Sequence, residues 1–357
     1  VEWGKYRIDD LFKIQTSAKR FDANKVNIIE NGRYPYVVRT SSNNGQKGFL
    51  DENESFLNAG NTISFGQDTA TIFYQEKPYF TGDKIKVLVP KVYKFNKKNA
   101  QFFLASMNIA FSKFSWGSSR FNVDVLKEQV IMLPTKCDSI DFEFMESFIE
   151  ELEAERIEEL EAYLSVSGLK DTQLTADELS ALDKFNSTKW KKFNLETLFG
   201  KSTRGKRLKG DDRIGGNLPF VTAGETDEGI SAFISNDVEI FSSNTTTIDM
   251  FGSAKYRNYN YGADDHIAVV HTENLSKYAA IFVTSACHKS AHNGDFSYSR
   301  NFYAKDADKL YISLPVKNEQ PDYELMSTLI SAIQKLVIAD VVKFSDEKIK
   351  ATKQVVG

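Results

Sequence analysis

In two distant stretches of the chain, apolar residues return every three or four positions. Met145, Phe148, Ile149, Leu152, Leu160 and Leu164 form the first set, and Met326, Leu329, Ile330, Ile333, Val341 and Phe344 or Ser345 the second. That period predicts one helix over 141–164 and another from 322 to about 353. Asp141 and Asp322 stand at the two starts, where a carboxylate caps free backbone N–H groups. Ahead of each helix the pattern changes. Residues 33–39, 62–65, 71–74 and 84–89 carry β-branched and aromatic side chains, and Asn/Gly-rich stretches such as 41–48 and 58–61 separate them, which predicts short strands joined by loops. Short helices are expected at Ala100–Phe111 and at about 277–288. The polar linker 165–188 contains Thr175-Ala176-Asp177-Glu178, a capping-box pattern that opens a further short helix.

The second half of this pattern repeats the first. Trp3…Leu11-Phe12 returns as Trp190…Leu198-Phe199, and Pro35-Tyr36-Val37 as Pro219-Phe220-Val221. Gly45-Gln46-Lys47-Gly48-Phe49 returns as Gly229-Ile230-Ser231-Ala232-Phe233, and Leu133-Pro134 as Leu314-Pro315. So long a repeat means two similar domains rather than a solenoid. The expected fold class is α+β: two tandem β-rich domains, each followed by a long helix, with the two helices pairing as an antiparallel coiled coil. The boundaries expected are 1–140 for the first domain, 141–188 for its helix and linker, 189–318 for the second domain and 319–357 for its helix. A helix of ~24 residues is ~36 Å long, close to the ~34–36 Å of one turn of B-DNA. Two similar domains at that separation suit a two-part target.

Charge points the same way only once it is located. The net charge is -4, which is no global signature for nucleic acid. Yet Glu150, Glu151, Glu153, Glu155, Glu158, Glu159 and Glu161 crowd into the first helix, and the basic residues lie elsewhere. Lys19, Arg20, Lys206 and Arg207 are candidates for phosphate contact, and Arg204 and Lys209 beside them for DNA contact. Ser41, Asn43, Asn44, Lys47, Gln67, Arg120, Asn122, Lys255, Arg257, Asn258, Lys289 and Arg300 are candidates for DNA contact in loops that differ between the copies, since amides, hydroxyls and arginines read base edges. The alternative for each is a solvated loop. If Phe65-Gly66 is set against Phe251-Gly252, then Gln67-Asp68-Thr69 faces Ser253-Ala254-Lys255.

Other chemistry is weakly represented. Gly200-Lys201-Ser202-Thr203-Arg204-Gly205-Lys206-Arg207 approaches a phosphate-binding loop, but Arg207 stands where a hydroxyl should hold magnesium. The first copy lacks both glycines. His288 and His292 are four apart, as a metal pair on a helix would be, but no further ligands follow at suitable spacing, so no metal is expected. No catalytic motif of a metalloprotease, serine hydrolase, dinucleotide enzyme or amino-methyltransferase is present. Cys137 and Cys287 form no framework, no signal-peptide pattern opens the chain, and no apolar run approaches the ~20 residues of a membrane span. The expected location is the cytoplasm.

The ordered marks resemble the specificity subunit of type I restriction–modification systems and its type IIB relatives. They are Trp3…Leu11-Phe12, Ala59-Gly60-Asn61-Thr62-Ile63, Gly82-Asp83, Phe102-Phe103-Leu104 and Ser118-Ser119-Arg120…Leu133-Pro134, matched by Trp190…Leu198-Phe199, Asn244-Thr245-Thr246, Asp264-Asp265, Phe282 and Ser299-Arg300…Leu314-Pro315. The resemblance covers almost the whole chain. It implies two target-recognition domains that each read one half of a split double-stranded DNA sequence. It also implies spacer helices on which DNA methyltransferase subunits, and in some systems a restriction subunit, dock. The chain itself would be non-catalytic and without cofactor: S-adenosylmethionine, and ATP or Mg if used, would bind the partners. The acidic first helix and the 165–188 linker depart from a regular coil. Other classes stay open: a two-domain carbohydrate or protein binder, or a nucleotide-dependent enzyme at Gly200–Arg207.

Overall fold

The computed structural model describes residues 1–112 and 123–356. Two of the candidate residues, Arg120 and Asn122, therefore lie outside the described residues. The chain divides into two compact units, Val1–Glu159 and the remainder from Leu160.

The first unit runs β1 (Glu2–Arg7), α1 (Ile8–Leu11), β2 (Phe12–Thr16), β3 (Tyr34–Val37), β4 (Gln46–Leu50), β5 (Thr62–Gly66), β6 (Ile72–Gln75), β7 (Phe80–Thr81) and β8 (Ile85–Pro90). Then follow α2 (Ala100–Phe111), α3 (Val123–Glu128), β9 (Val130–Lys136), β10 (Ser139–Ile140) and the long α4 (Phe142–Val166). Three small sheets form in the orders β1-β9-β10, β2-β8-β5-β6 and β4-β3-β7. Helix α2 buries Phe103, Met107 and Phe111, one per turn, against this framework. Phe103 meets Phe12 and Phe95 edge-on at centroid distances of 5.7 and 5.2 Å. Each such buried side chain contributes roughly 1.5–3 kcal/mol. Met145 joins the same core, so the first turn of α4 is anchored to its own unit. Asp141 caps that turn as expected, its Oδ1 accepting from Phe144 N at 2.9 Å.

The second unit repeats the order: α5 (Ala176–Lys184), β11 (Trp190–Asn194), α6 (Leu195–Phe199), β12 (Thr203–Arg204), β13 (Gly215–Val221), β14 (Ile230–Ile234), β15 (Thr245–Ile248) and β16 (Ala254–Arg257). It continues with β17 (Gly262–Ala263), β18 (Ala268–Val270), α7 (Lys277–Ala291), α8 (Ala304–Asp308), β19 (Tyr311–Lys317), β20 (Gln320–Pro321) and α9 (Tyr323–Val356). Its sheets, β11-β19-β20, β12-β18-β15-β16 and β14-β13-β17, copy the topology of the first unit strand for strand. Single hydrogen bonds are copied too. Tyr74 donates to Asn61 at 2.9 Å and Tyr256 to Asn244 at 2.9 Å. Both asparagines hold left-handed backbone, which their short amides tolerate.

The strand register corrects one alignment. Phe65 pairs with Ile72 and Ile248 with Ala254, so Phe65 corresponds to Ile248, not to Phe251. Gln75 then stands where Arg257 does, and Phe73 where Lys255 does.

The division at 159/160 falls inside α4, so the 165–188 linker folds with the second unit rather than with the first helix. Its capping box forms around Thr175 and Glu178. Within α9, Tyr323–Ala351 is long and apolar enough to cross a membrane, an 18-residue window of it having mean hydropathy 1.7. Lys335, Asp340 and Lys343 interrupt the run, so no unbroken apolar stretch shows in the sequence. The helix is apolar on two faces. Met326, Leu329 and Ala332 are buried in its own unit, while Ile333, Leu336, Val337, Val341 and Phe344 are exposed.

Candidate nucleic-acid interface

In the first unit a cleft of about 980 Å3 opens between the segment after β2, the β3–β4 connection and the end of β7. Arg20, Arg39, Ser42, Gln46, Lys47 and Asp83 line it. The two arginines are held by carboxylates: Arg20 Nη1 lies 3.1 Å from Asp83 Oδ1, and Arg39 Nη1 lies 2.6 Å from Asp68 Oδ2, which Lys84 also approaches at 2.7 Å. Lys19 is turned away onto the rings of Phe21 and Phe56, 4.6 and 4.7 Å from their centroids. It is thus partly committed to local packing.

The β3–β4 connection carries four exposed residues, Ser41 to Asn44, and its backbone turns left-handed at Asn43 (φ 49°), Asn44 (φ 53°) and Gly45 (φ 76°). The β13–β14 connection does the same at Asp227 (φ 47°), Glu228 (φ 54°) and Gly229 (φ 79°). One backbone shape thus presents amides in the first unit and carboxylates in the second. Two of the candidate amides are engaged by backbone carbonyls, one at the start of β4 and one on β6. Asn43 Nδ2 donates to Gln46 O at 3.2 Å and Asn44 Nδ2 to Tyr74 O at 3.0 Å. Gln67 sits half-buried at the end of β5, its N–H on Lys84 O.

In the second unit Arg204, Lys206, Arg207, Lys209 and Lys289 are exposed and make no ion pair with any described residue, as phosphate contacts require. Asn258 is exposed as well. Arg300 is exposed, stacked 5.2 Å over Phe296 and paired with Asp306 at 3.2 Å. Lys255 is mostly enclosed between Asp249 (3.8 Å), Glu225 (3.3 Å) and Ser253. The Ser253 contact, then Lys255 and His292, hold Glu225 below the usual carboxylate range.

Arg257, a candidate for DNA contact by sequence, lies in the interior instead. It is 1 % exposed, with Nε on Thr247 Oγ1 at 2.9 Å and Nη1 on Tyr259 at 2.9 Å. It cannot touch DNA; it satisfies the interior, as Gln75 does in the first unit by donating to Ser64 at 3.1 Å. Both glycines of the near phosphate loop also have structural reasons. Gly200 ends α6 in left-handed backbone, φ 75°. At Gly205 a Cβ would stand 1.6 Å from Ala263 O, so the chain there admits glycine alone. His288 and His292 stack at 4.8 Å, and their Nδ1 atoms meet Ala254 N and Phe251 O.

Two copies of one α+β unit, presenting unlike side chains on like loops and each running into a long helix, define a tandem recognition protein. The chain belongs to the family described as the type I restriction modification DNA specificity domain, which residues 1–162 and 187–343 match. It is 26% identical to the type II restriction enzyme specificity subunit S.BcgI of Heyndrickxia coagulans over 346 residues, 95% of this chain and 96% of that one. Its fold is similar to that of the type I restriction–modification S subunit from M. genitalium, with TM-score 0.62 at 17% identity, covering 99% of this chain and 94% of the other. Recognition of a DNA target through two domains, within a restriction–modification system, is the function of this family and of the chain.

Proposed function

We propose that each unit reads its own half of a bipartite duplex target, and that α4 and α9, paired as an antiparallel coiled coil, set the distance between the halves. The observation that carries the reading is the repeated loop, Asn43-Asn44-Gly45 against Asp227-Glu228-Gly229, whose dihedrals agree while its chemistry differs. A fixed backbone with variable side chains is what two readers of different sequences need. The helices support the second half of the reading. Phe148 and Leu152 on α4, and the stripe Ile333, Leu336, Val337, Val341 and Phe344 on α9, are apolar and exposed, so each helix has a face left for protein contact.

On this reading α9 serves protein rather than lipid, and the chain works in the cytoplasm as a non-catalytic subunit. DNA methyltransferase subunits, and a restriction subunit where cleavage occurs, dock on the helices. They bind S-adenosylmethionine and any ATP or magnesium, and they flip and methylate the base. Exchanging residues 1–140 for a related domain tests the reading: methylome sequencing should show one half of the methylated sequence changed. A change in both halves, or in neither, sinks it. A carbohydrate- or protein-binding role would instead leave duplex binding absent or insensitive to salt.

A further inference from the structure

Gln46 and Lys47 both line the cleft of the first unit, although successive residues of a regular strand point to opposite faces. A bulge resolves this. Tyr36 pairs with Gly48 and Val37 with Gln46, so Lys47 is the extra residue, and a bulge re-aims a side chain in this way. The second unit keeps the bulge: Phe220 pairs with Ala232 and Val221 with Ile230, leaving Ser231 as the extra residue.

The two bulges are used differently. Ser231 is closed by internal bonds, donating to Phe220 O at 3.2 Å and accepting from Arg213 Nη1 at 3.1 Å. Its neighbour Ile230 has no polar head at all. Lys47 is exposed, and neither its ammonium nor the Gln46 amide has a partner among the described residues. Beside them Arg39 is already paired to Asp68, so on the β4 side of the cleft Gln46 and Lys47 are donors free to meet a ligand.

We infer that Gln46 and Lys47 determine the sequence read by the first unit, the Lys47 ammonium donating to guanine O6 and N7 and the Gln46 amide pairing with adenine N6 and N7. Those are the base edges that match an ammonium and a primary amide. The inference rests on the two-reader function proposed above. The second unit, with Ile230 and Ser231 at these positions, reads its half-site with other groups.

The test places the residues of the second unit into the first. Gln46→Ile, Lys47→Ser and the double variant are made in the full chain, together with its own modification partner, and the methylated sequences are read. Each single variant should lose roughly tenfold or more of its discrimination at one base position of the first half-site. The second half-site should stay as it was. Lys47→Arg, which keeps donors on the same bulge, should retain the guanine, so a variant that merely misfolds is recognised by the contrast and by its thermal unfolding. An unchanged consensus with methylation lowered uniformly at all sites would mean phosphate contact only and overturn the inference. The 1–140 exchange run alongside separates the two ideas. If the exchange changes the first half-site and these variants do not, the inference fails and the two-reader function stands. If the exchange changes neither half, both fail.

Discussion

Lys335 on α9 holds Glu178 on α5, Nζ to Oε2 at 3.2 Å, and the same ammonium reaches Asp171 at 2.9 Å and Gln173 O at 2.8 Å. Glu178 is almost fully buried and also accepts from Ser331 Oγ at 2.6 Å and Thr175 N at 2.8 Å. These contacts strap the linker to the middle of α9. The Ser331 hydroxyl first, then the Thr175 N–H and Lys335, pull the Glu178 carboxyl from 4.5 to about 2. A depressed carboxylate stabilises the fold above its unfolded value and loses that stabilisation as pH falls through the folded one. The melting temperature of the chain should therefore drop between pH 4.5 and about 2, and Glu178→Gln should flatten this part of the profile. An acid profile identical in the variant would refute the strap's role.

Arg257→Ala should destabilise the second unit by about 3 kcal/mol without altering the target sequence, because it empties the buried space of the side chain and removes the donors that Thr247 and Tyr259 accept from. Arg257→Gln, which copies the first unit's Gln75, should cost less. Thermal unfolding measures both. A changed methylation consensus in a variant that still folds would return Arg257 to the DNA surface.

Gly205→Ala should lower the melting temperature strongly, since the added Cβ meets the Ala263 carbonyl at 1.6 Å and the backbone must move. ATP with magnesium should not raise the melting temperature of the unmodified chain. Nucleotide-dependent stabilisation that Gly205→Ala abolishes would revive the phosphate-loop reading.

The spacing of the half-sites should follow helix length. Inserting about seven residues, two turns or ~10 Å, into α4 should lengthen the preferred spacer by about three base pairs. The glutamates of α4 make direct DNA contact there unfavourable, so length rather than chemistry is expected to act. Methylome sequencing reads the spacer. An unchanged spacer in a folded variant would separate the helices from the ruler function.

The amino-acid order by itself determined the repeat, the two helices with their aspartate caps, and the family. Each of these rests on local spacing: apolar side chains at helical period, Asp141 and Asp322 three residues before the N–H groups they accept from, and marks that recur in order. What depends on pairing between distant strands was decided only by the tertiary structure. Phe65-Gly66 and Phe251-Gly252 look alike, but hydrogen-bonded register sets Phe65 against Ile248, because the turns after the two strands differ in length. An arginine in a short strand reads as a surface cation until Thr247 and Tyr259 are seen to receive it. Gly205 reads as part of a phosphate cradle until Ala263, far along the chain, is found pressed against it. Gln46 could be singled out only once a bulge, invisible in the order of residues, set it in the cleft beside Lys47.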